Sequence, residues 1–360
     1  MEFSQYTGPS QDWLAIESTL PAIPPLPPTE LRDLVNKGRE ELAAEGIKDI
    51  ASQVQIYNFN VTTRDGATLQ VCAYRPADIA ASEKLPVYIH LHGGGFLFGT
   101  LASEDGICAR IVVSHMQNHT PVVVFNVNYR HTPEHPFPTA WNDVEDAFVW
   151  LHDNMDRIGG LADQVVVGGI SAGAQLTLSL TLTQLYGDNE RVKACPKIRG
   201  QVLMIPCLVQ RVHYGSRTEM LSSPEVSSYV TCADAPILPV SRIELFMKLL
   251  DLDKYSGADA ARNLRLNPGN ATADQVKNLP PTTFGIAGND PLRDEGLLFA
   301  KLLCENGVPA DVHVFPGVPH GFRRWFGKLP AGRRWDNVMA GGITWALSNP
   351  TAKPFEIKAE

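Results

Sequence analysis

Residues 164–180 read QVVVGGISAGAQLTLSL, and their reading decides the fold. The apolar run Val165-Val166-Val167 reads as a buried strand. It turns through glycines and continues into a segment, Gln175–Tyr186, whose length and position favour a buried helix, although Leu176, Leu178, Leu180 and Leu182 alternate as they would in a strand. At the turn, Gly169-Ile170-Ser171-Ala172-Gly173 spells G-x-S-x-G between a strand and a helix. A serine hydroxyl is a weak nucleophile and must stand clear of its neighbours. The glycines allow the backbone to approach closely there, and the helix N-terminus favours developing negative charge. The competing reading is the glycine turn of a nucleotide-binding fold, but no GxGxxG or Walker pattern accompanies it.

Outward from this turn, apolar runs at Pro86–Leu91, Pro121–Val127, Gly200–Pro206, Thr282–Ala287 and Asp311–Phe315 read as further strands buried on both faces. Ala140, Val144, Ala147, Phe148 and Leu151 lie on one helical face, and Leu292–Glu305 and Trp335–Leu347 also read as helices. Strands alternating with helices predict an α/β fold, a mostly parallel central sheet flanked by helices. Alternation around Asp65-Gly66 adds an antiparallel hairpin from about Val54. The expected organisation is a core of residues 51–208 and 265–360, an N-terminal segment 1–50, and an insertion at 209–264. The N-terminal segment holds helices near Gln11–Leu20 and Glu30–Glu45, separated by the helix-breaking Pro21–Pro28. The insertion is too long for an ordinary connection, and with the N-terminal segment it is read as a helical lid.

A second glycine turn follows the strand ending at Leu91: His92-Gly93-Gly94-Gly95-Phe96. Amides of Gly93, Gly94 and Gly95 can turn inward as donors to an oxyanion, and the amide of Ala172 completes the set. Two such turns, each closing a core strand, are hard to obtain by accident.

Composition narrows the function. With 44% hydrophobic and 19% charged residues the chain has an ample core. A net charge of −8 argues against nucleic acid and anionic membranes as partners. No run of about 18 apolar residues predicts a membrane span, and the first residues lack the pattern of a signal peptide. Six dispersed cysteines with no CxxC spacing predict buried thiols in a reducing, cytoplasmic setting, with neither a metal nor a disulfide framework. No cofactor is expected. A homodimer is left open.

Together these motifs resemble the hormone-sensitive-lipase-like family of α/β-hydrolases, marked by HGGG and GxSAG. The segment Tyr129-Arg130-His131-Thr132-Pro133-Glu134-His135-Pro136-Phe137-Pro138 is similar to its YRxxPExxFP stretch. The resemblance spans roughly residues 85–325. It implies the α/β-hydrolase fold with an eight-stranded core, a lid, and carboxylester hydrolysis without a cofactor. It also implies an acid in Asp290-Pro291-Leu292-Arg293-Asp294-Glu295, where Asp290 is favoured over Asp294, and a general base in His320-Gly321-Phe322. Three residues depart from the family pattern: Ile170 before the serine, and Ala174 and Gln175 after it.

The resemblance thus assigns Ser171, His320 and Asp290 to nucleophile, base and orienting acid of an acyl-enzyme mechanism. Phe96, Phe98, Tyr214 and Tyr229 are candidates for the substrate pocket, with Tyr6, Trp13 and Phe246 behind them. A small apolar ester is the expected substrate. Acyl transfer, lactone cleavage or cyclisation by the same groups, an amidase or lyase, and a non-catalytic small-molecule receptor are the alternatives.

Overall fold

The computed structural model describes residues 1–21, 25–255, 257–325 and 327–359; the middle of the proline-rich stretch, residues 22–24, lies outside them. Helices α1 (Gln11–Glu17) and α2 (Pro28–Ile47) come first. The hairpin β1 (Val54–Thr62) and β2 (Thr68–Pro76) follows, closed by a turn in which Gly66 takes φ +82°. Then come β3 (Leu85–Leu91), α3 (Leu101–Gln117), β4 (Val123–Val127), α4 (Thr139–Asp153), β5 (Gly160–Ile170), α5 (Ala172–Tyr186) and β6 (Gly200–Met204). After the insertion, whose longest helix is α6 (Val240–Leu249), the chain adds β7 (Thr282–Asn289), α7 (Arg293–Glu305), β8 (Ala310–Pro319), α8 (Pro330–Leu347) and β9 (Ile357–Ala359).

The strands form one sheet in the order β1-β2-β4-β3-β5-β6-β7-β8-β9. Only β2 runs antiparallel to its neighbours β1 and β4; every other pairing is parallel. The eight-stranded core is therefore present with one addition, the three-residue β9 beside β8.

Period-two alternation splits the strands between two cores. Val87, Ile89 and Leu91 of β3 face a layer with α4 and α5, while Tyr88 faces the opposite layer with α3 and α8. Helix α5 is buried along nearly its whole length. That explains its strand-like leucine pattern: with every face covered, sequence periodicity carries no amphipathic signal. Helix α3 was not anticipated for a related reason. It buries Glu104 and His115 among its apolar residues, which blurs the periodicity. The backbone amine of Met1 bonds the Met220 carbonyl, and the Ser222 amide bonds that of Met1, so the N-terminus is tied to the insertion. No helix among the described residues is long and apolar enough to cross a membrane.

Candidate active site

Parallel strands place their C-terminal ends along one edge, and the predicted residues gather there. Gly93–Gly95 follow β3, Ser171 follows β5, Asp290 follows β7 and His320 follows β8. Ser171 sits at φ 56°, ψ −115°, a strained conformation that turns its side chain away from both strand and helix. The neighbouring glycines are required by contact. A Cβ on Gly169 would lie 2.3 Å from the Gly173 carbonyl carbon, and one on Gly173 would lie 2.0 Å from the Leu91 carbonyl oxygen.

His320 Nε2 lies 2.9 Å from Ser171 Oγ, and His320 Nδ1 lies 2.7 Å from Asp290 Oδ2. With its proton on Nδ1, the imidazole donates to Asp290 and accepts from the serine hydroxyl. The other carboxylate oxygen of Asp290 accepts from the Leu292 amide at 2.9 Å. All three side chains are buried, Asp290 almost completely at 1% exposure. Asp294 is elsewhere: it pairs with Arg293 at 2.7 Å and accepts from the Ser228 amide. Of the two aspartates, Asp290 is the one that touches His320.

The glycine loop faces the serine. Gly94 (φ 141°) and Gly95 (φ 62°) hold backbone shapes that favour glycine. A Cβ on Gly95 would strike the ring of Phe246 at 2.2 Å. Among the described residues, nothing in the protein accepts from the amides of Gly94, Gly95 or Ala172, so these donors are available to a ligand. The Gly93 carbonyl accepts from Arg39 of α2 at 3.0 Å, and Arg39 also bonds buried Glu104 at 2.8 Å. Burial alone would raise the Glu104 pKa, but the His90 bond and the Arg39 charge outweigh it and hold the carboxyl below its ordinary range. His92 stacks on Tyr129 at 4.2 Å, and burial pushes its pKa down to about 4, leaving it neutral. Thr132 anchors the far side of the loop, its amide donating to the Phe96 carbonyl at 2.8 Å.

Ser171, Ala172, His320 and the Gly93–Gly95 loop border a cavity of about 720 Å³. Phe96 and Phe98 line it, with Phe246, Ile243 and Leu250 of the insertion and Val35, Leu42 and Ala43 of α2. Tyr214 and Tyr229 do not. Their rings pack against each other at 5.3 Å, in the apolar layer that joins the insertion to the core. The pattern of aromatic residues could not distinguish that packing from a pocket wall. Of the three departures from the family pattern, Ile170 lines the cavity, whereas Gln175 is buried and donates to the Leu266 carbonyl at 2.5 Å. Five arginines, Arg39, Arg110, Arg242, Arg323 and Arg324, also border the cavity, and their scatter along the chain leaves no signal in the sequence. Among the described residues, no group of three His, Cys, Asp or Glu side chains could hold a metal ion.

A serine, an acid and a histidine in that chain order, at the strand ends of a sheet in this order, define the α/β-hydrolase class. Residues 88–324 match a family described as alpha/beta hydrolase fold. The esterase LipI of Mycobacterium tuberculosis is 31% identical over 258 residues, covering 72% of each chain. A hyperthermophilic esterase from Pyrobaculum calidifontis superposes with a TM-score of 0.74 at 27% identity, over 96% of this chain and all of its own. A vibralactone cyclase shares the fold with a TM-score of 0.79 at 24% identity, over 95% of this chain and 96% of its own. The chain belongs to the hormone-sensitive-lipase-like carboxylesterases of the α/β-hydrolase fold, and is a carboxylic ester hydrolase by class.

Proposed function

We propose that this enzyme cleaves small, largely apolar carboxylic esters through an acyl-enzyme on Ser171. The observation that carries this reading is the pair of contacts of His320, 2.9 Å to Ser171 Oγ and 2.7 Å to Asp290. His320 takes the serine proton as Oγ attacks the ester carbonyl, and Asp290 holds the imidazole in the productive tautomer and stabilises the imidazolium. The carbonyl oxygen becomes an oxyanion facing the amides of Gly94, Gly95 and Ala172. His320 returns the proton to the departing alcohol, and a water activated in the same way releases the acid. Residues 1–50 and 209–264 serve as the lid, since both contribute side chains to the cavity.

Hydrolysis of p-nitrophenyl acetate, butyrate and octanoate by the wild type and Ser171→Ala tests this reading. Turnover by the wild type, with a loss of roughly 10³-fold or more in the variant, supports it. A folded wild type inert to all three esters counts against simple ester hydrolysis and favours acyl transfer or cyclisation by the same groups.

A further inference from the structure

The cavity wall is far more basic than the chain that builds it. The sequence carries a net charge of −8, yet five arginines reach the cavity. Arg110 and Arg323 share the carboxylate of Asp336, and Arg39 is paired with Glu104. Arg242 and Arg324 are different. Arg242 donates one 3.5 Å bond to the Ile237 carbonyl, and the Arg324 guanidinium has no hydrogen-bond or ion-pair partner among the described residues. Of the acidic residues in the wall, Glu104 is committed to Arg39 and His90, Asp234 is exposed and Glu17 is partly exposed.

Both arginines stand beside the histidine loop. The Arg324 amide donates to the Gly321 carbonyl at 3.3 Å, and Gly321 directly follows His320. A Cβ on Gly321 would lie 4.0 Å from Arg324 Nε and 3.6 Å from Ile237 Cγ2, the residue whose carbonyl Arg242 holds. In ester cleavage the histidine returns its proton to the leaving alcohol, so the alcohol part of the substrate occupies this side. Burial first, and then the nearby charges of Arg39 and Arg242, lower the Arg324 pKa to about 10.

We infer that the preferred substrate is an ester whose alcohol part bears a free carboxylate, held by Arg324 and Arg242 beside the His320 loop. The inference rests on the ester-hydrolase reading and extends it. The planar guanidinium matches a carboxylate through two parallel hydrogen bonds, and partial burial strengthens the pairing relative to water. One water is consumed; the acyl C–O bond breaks, and the products are a carboxylic acid and a hydroxy-carboxylate.

The test compares 4-acetoxybenzoate with its methyl ester, two acetates of nearly one shape that differ in charge. The wild type should favour the anion by about tenfold or more in kcat/KM, an advantage that shrinks at high salt. Arg324→Gln and Arg242→Gln should each lower the anion-to-neutral ratio by about tenfold, and Arg324→Lys should restore part of it. Using the ratio cancels any general loss of active protein. A wild type that cleaves the neutral ester equally well, through Ser171, overturns this inference and leaves the hydrolase reading standing, as does a ratio unmoved in both glutamine variants. A folded enzyme inert to both esters, and to the p-nitrophenyl series, overturns the hydrolase reading and this inference with it.

Discussion

Arg39 of α2 donates to the carbonyl of Gly93 at 3.0 Å, joining the first fifty residues to the glycine loop at the end of β3. Its second nitrogen binds Glu104, whose other oxygen lies 2.8 Å from His90. Around this contact, Asn36 accepts from the Gly99 amide at 2.8 Å and Glu40 accepts from the Thr100 hydroxyl at 2.6 Å. Helix α2 thus fixes the loop whose amides are proposed to meet the oxyanion. Arg39→Ala should lower kcat by roughly tenfold or more with a smaller change in KM, because a displaced donor costs mainly transition-state stabilisation. Arg39→Lys should recover only part, since an ammonium cannot span both acceptors in the fixed fork of a guanidinium. Steady-state kinetics on p-nitrophenyl butyrate checks this, and an unchanged kcat in Arg39→Ala would contradict it.

The two aspartates that follow β7 should separate by phenotype. Asp290→Asn removes the acceptor that orients His320 and should cost roughly 10³–10⁴-fold in kcat with the fold retained. Asp294→Asn instead weakens the buried pair with Arg293, so its main effect should be lower thermal stability. Kinetics beside a melting curve distinguishes them; equal kinetic losses would be evidence against Asp290 as the orienting acid.

Stability should fall in mild acid. His92, His115, His131 and His152 all have pKa values lowered by burial, His92 and His152 to about 4. The folded state therefore resists protonation at these sites while the unfolded chain accepts it from about 6.5 downward. The sign follows: stability is full above that value and declines as pH falls from about 6.5 towards 4. Melting temperatures across this range, with proton uptake on unfolding measured by calorimetry in buffers of different ionisation enthalpy, test it. A flat profile would show that these histidines are not neutral in the fold.

Two glycines should respond oppositely to alanine. At Gly173 a new Cβ would collide with the Leu91 carbonyl at 2.0 Å, forcing α5 from β3 at a cost of about 3 kcal/mol. At Gly341, an exposed position of helix α8, nothing lies within 4 Å, and alanine should stabilise by up to about 1 kcal/mol. Chemical denaturation of both variants measures the difference.

The sequence made the chemistry more legible than the surroundings. Glycine turns after apolar runs exposed Ser171 and Gly93–Gly95, because close backbone approach tolerates no other residue there. Asp290 and His320 were reached through family motifs, and they meet Ser171 only because β7 and β8 end at the same edge as β5. Helix α3 was missed, with Glu104 and His115 buried inside it. Strand β9 was missed as well, since three residues held by pairing with Val312–Val314 leave no local pattern. Within the insertion, Tyr214 and Tyr229 could not be assigned to packing or pocket from order along the chain. Arg242 and Arg324, far apart in sequence, acquire meaning only where Ile237 meets Gly321.

The central claim, that Ser171 is the nucleophile of an ester hydrolase, is tested most directly by reaction with diethyl p-nitrophenyl phosphate, followed by intact mass and peptide mapping. The account predicts a single phosphoryl adduct on the peptide bearing Ser171, forming in step with loss of esterase activity and absent from Ser171→Ala. An adduct on another residue that tracks the loss of activity, or full activity retained with Ser171 modified, would contradict it.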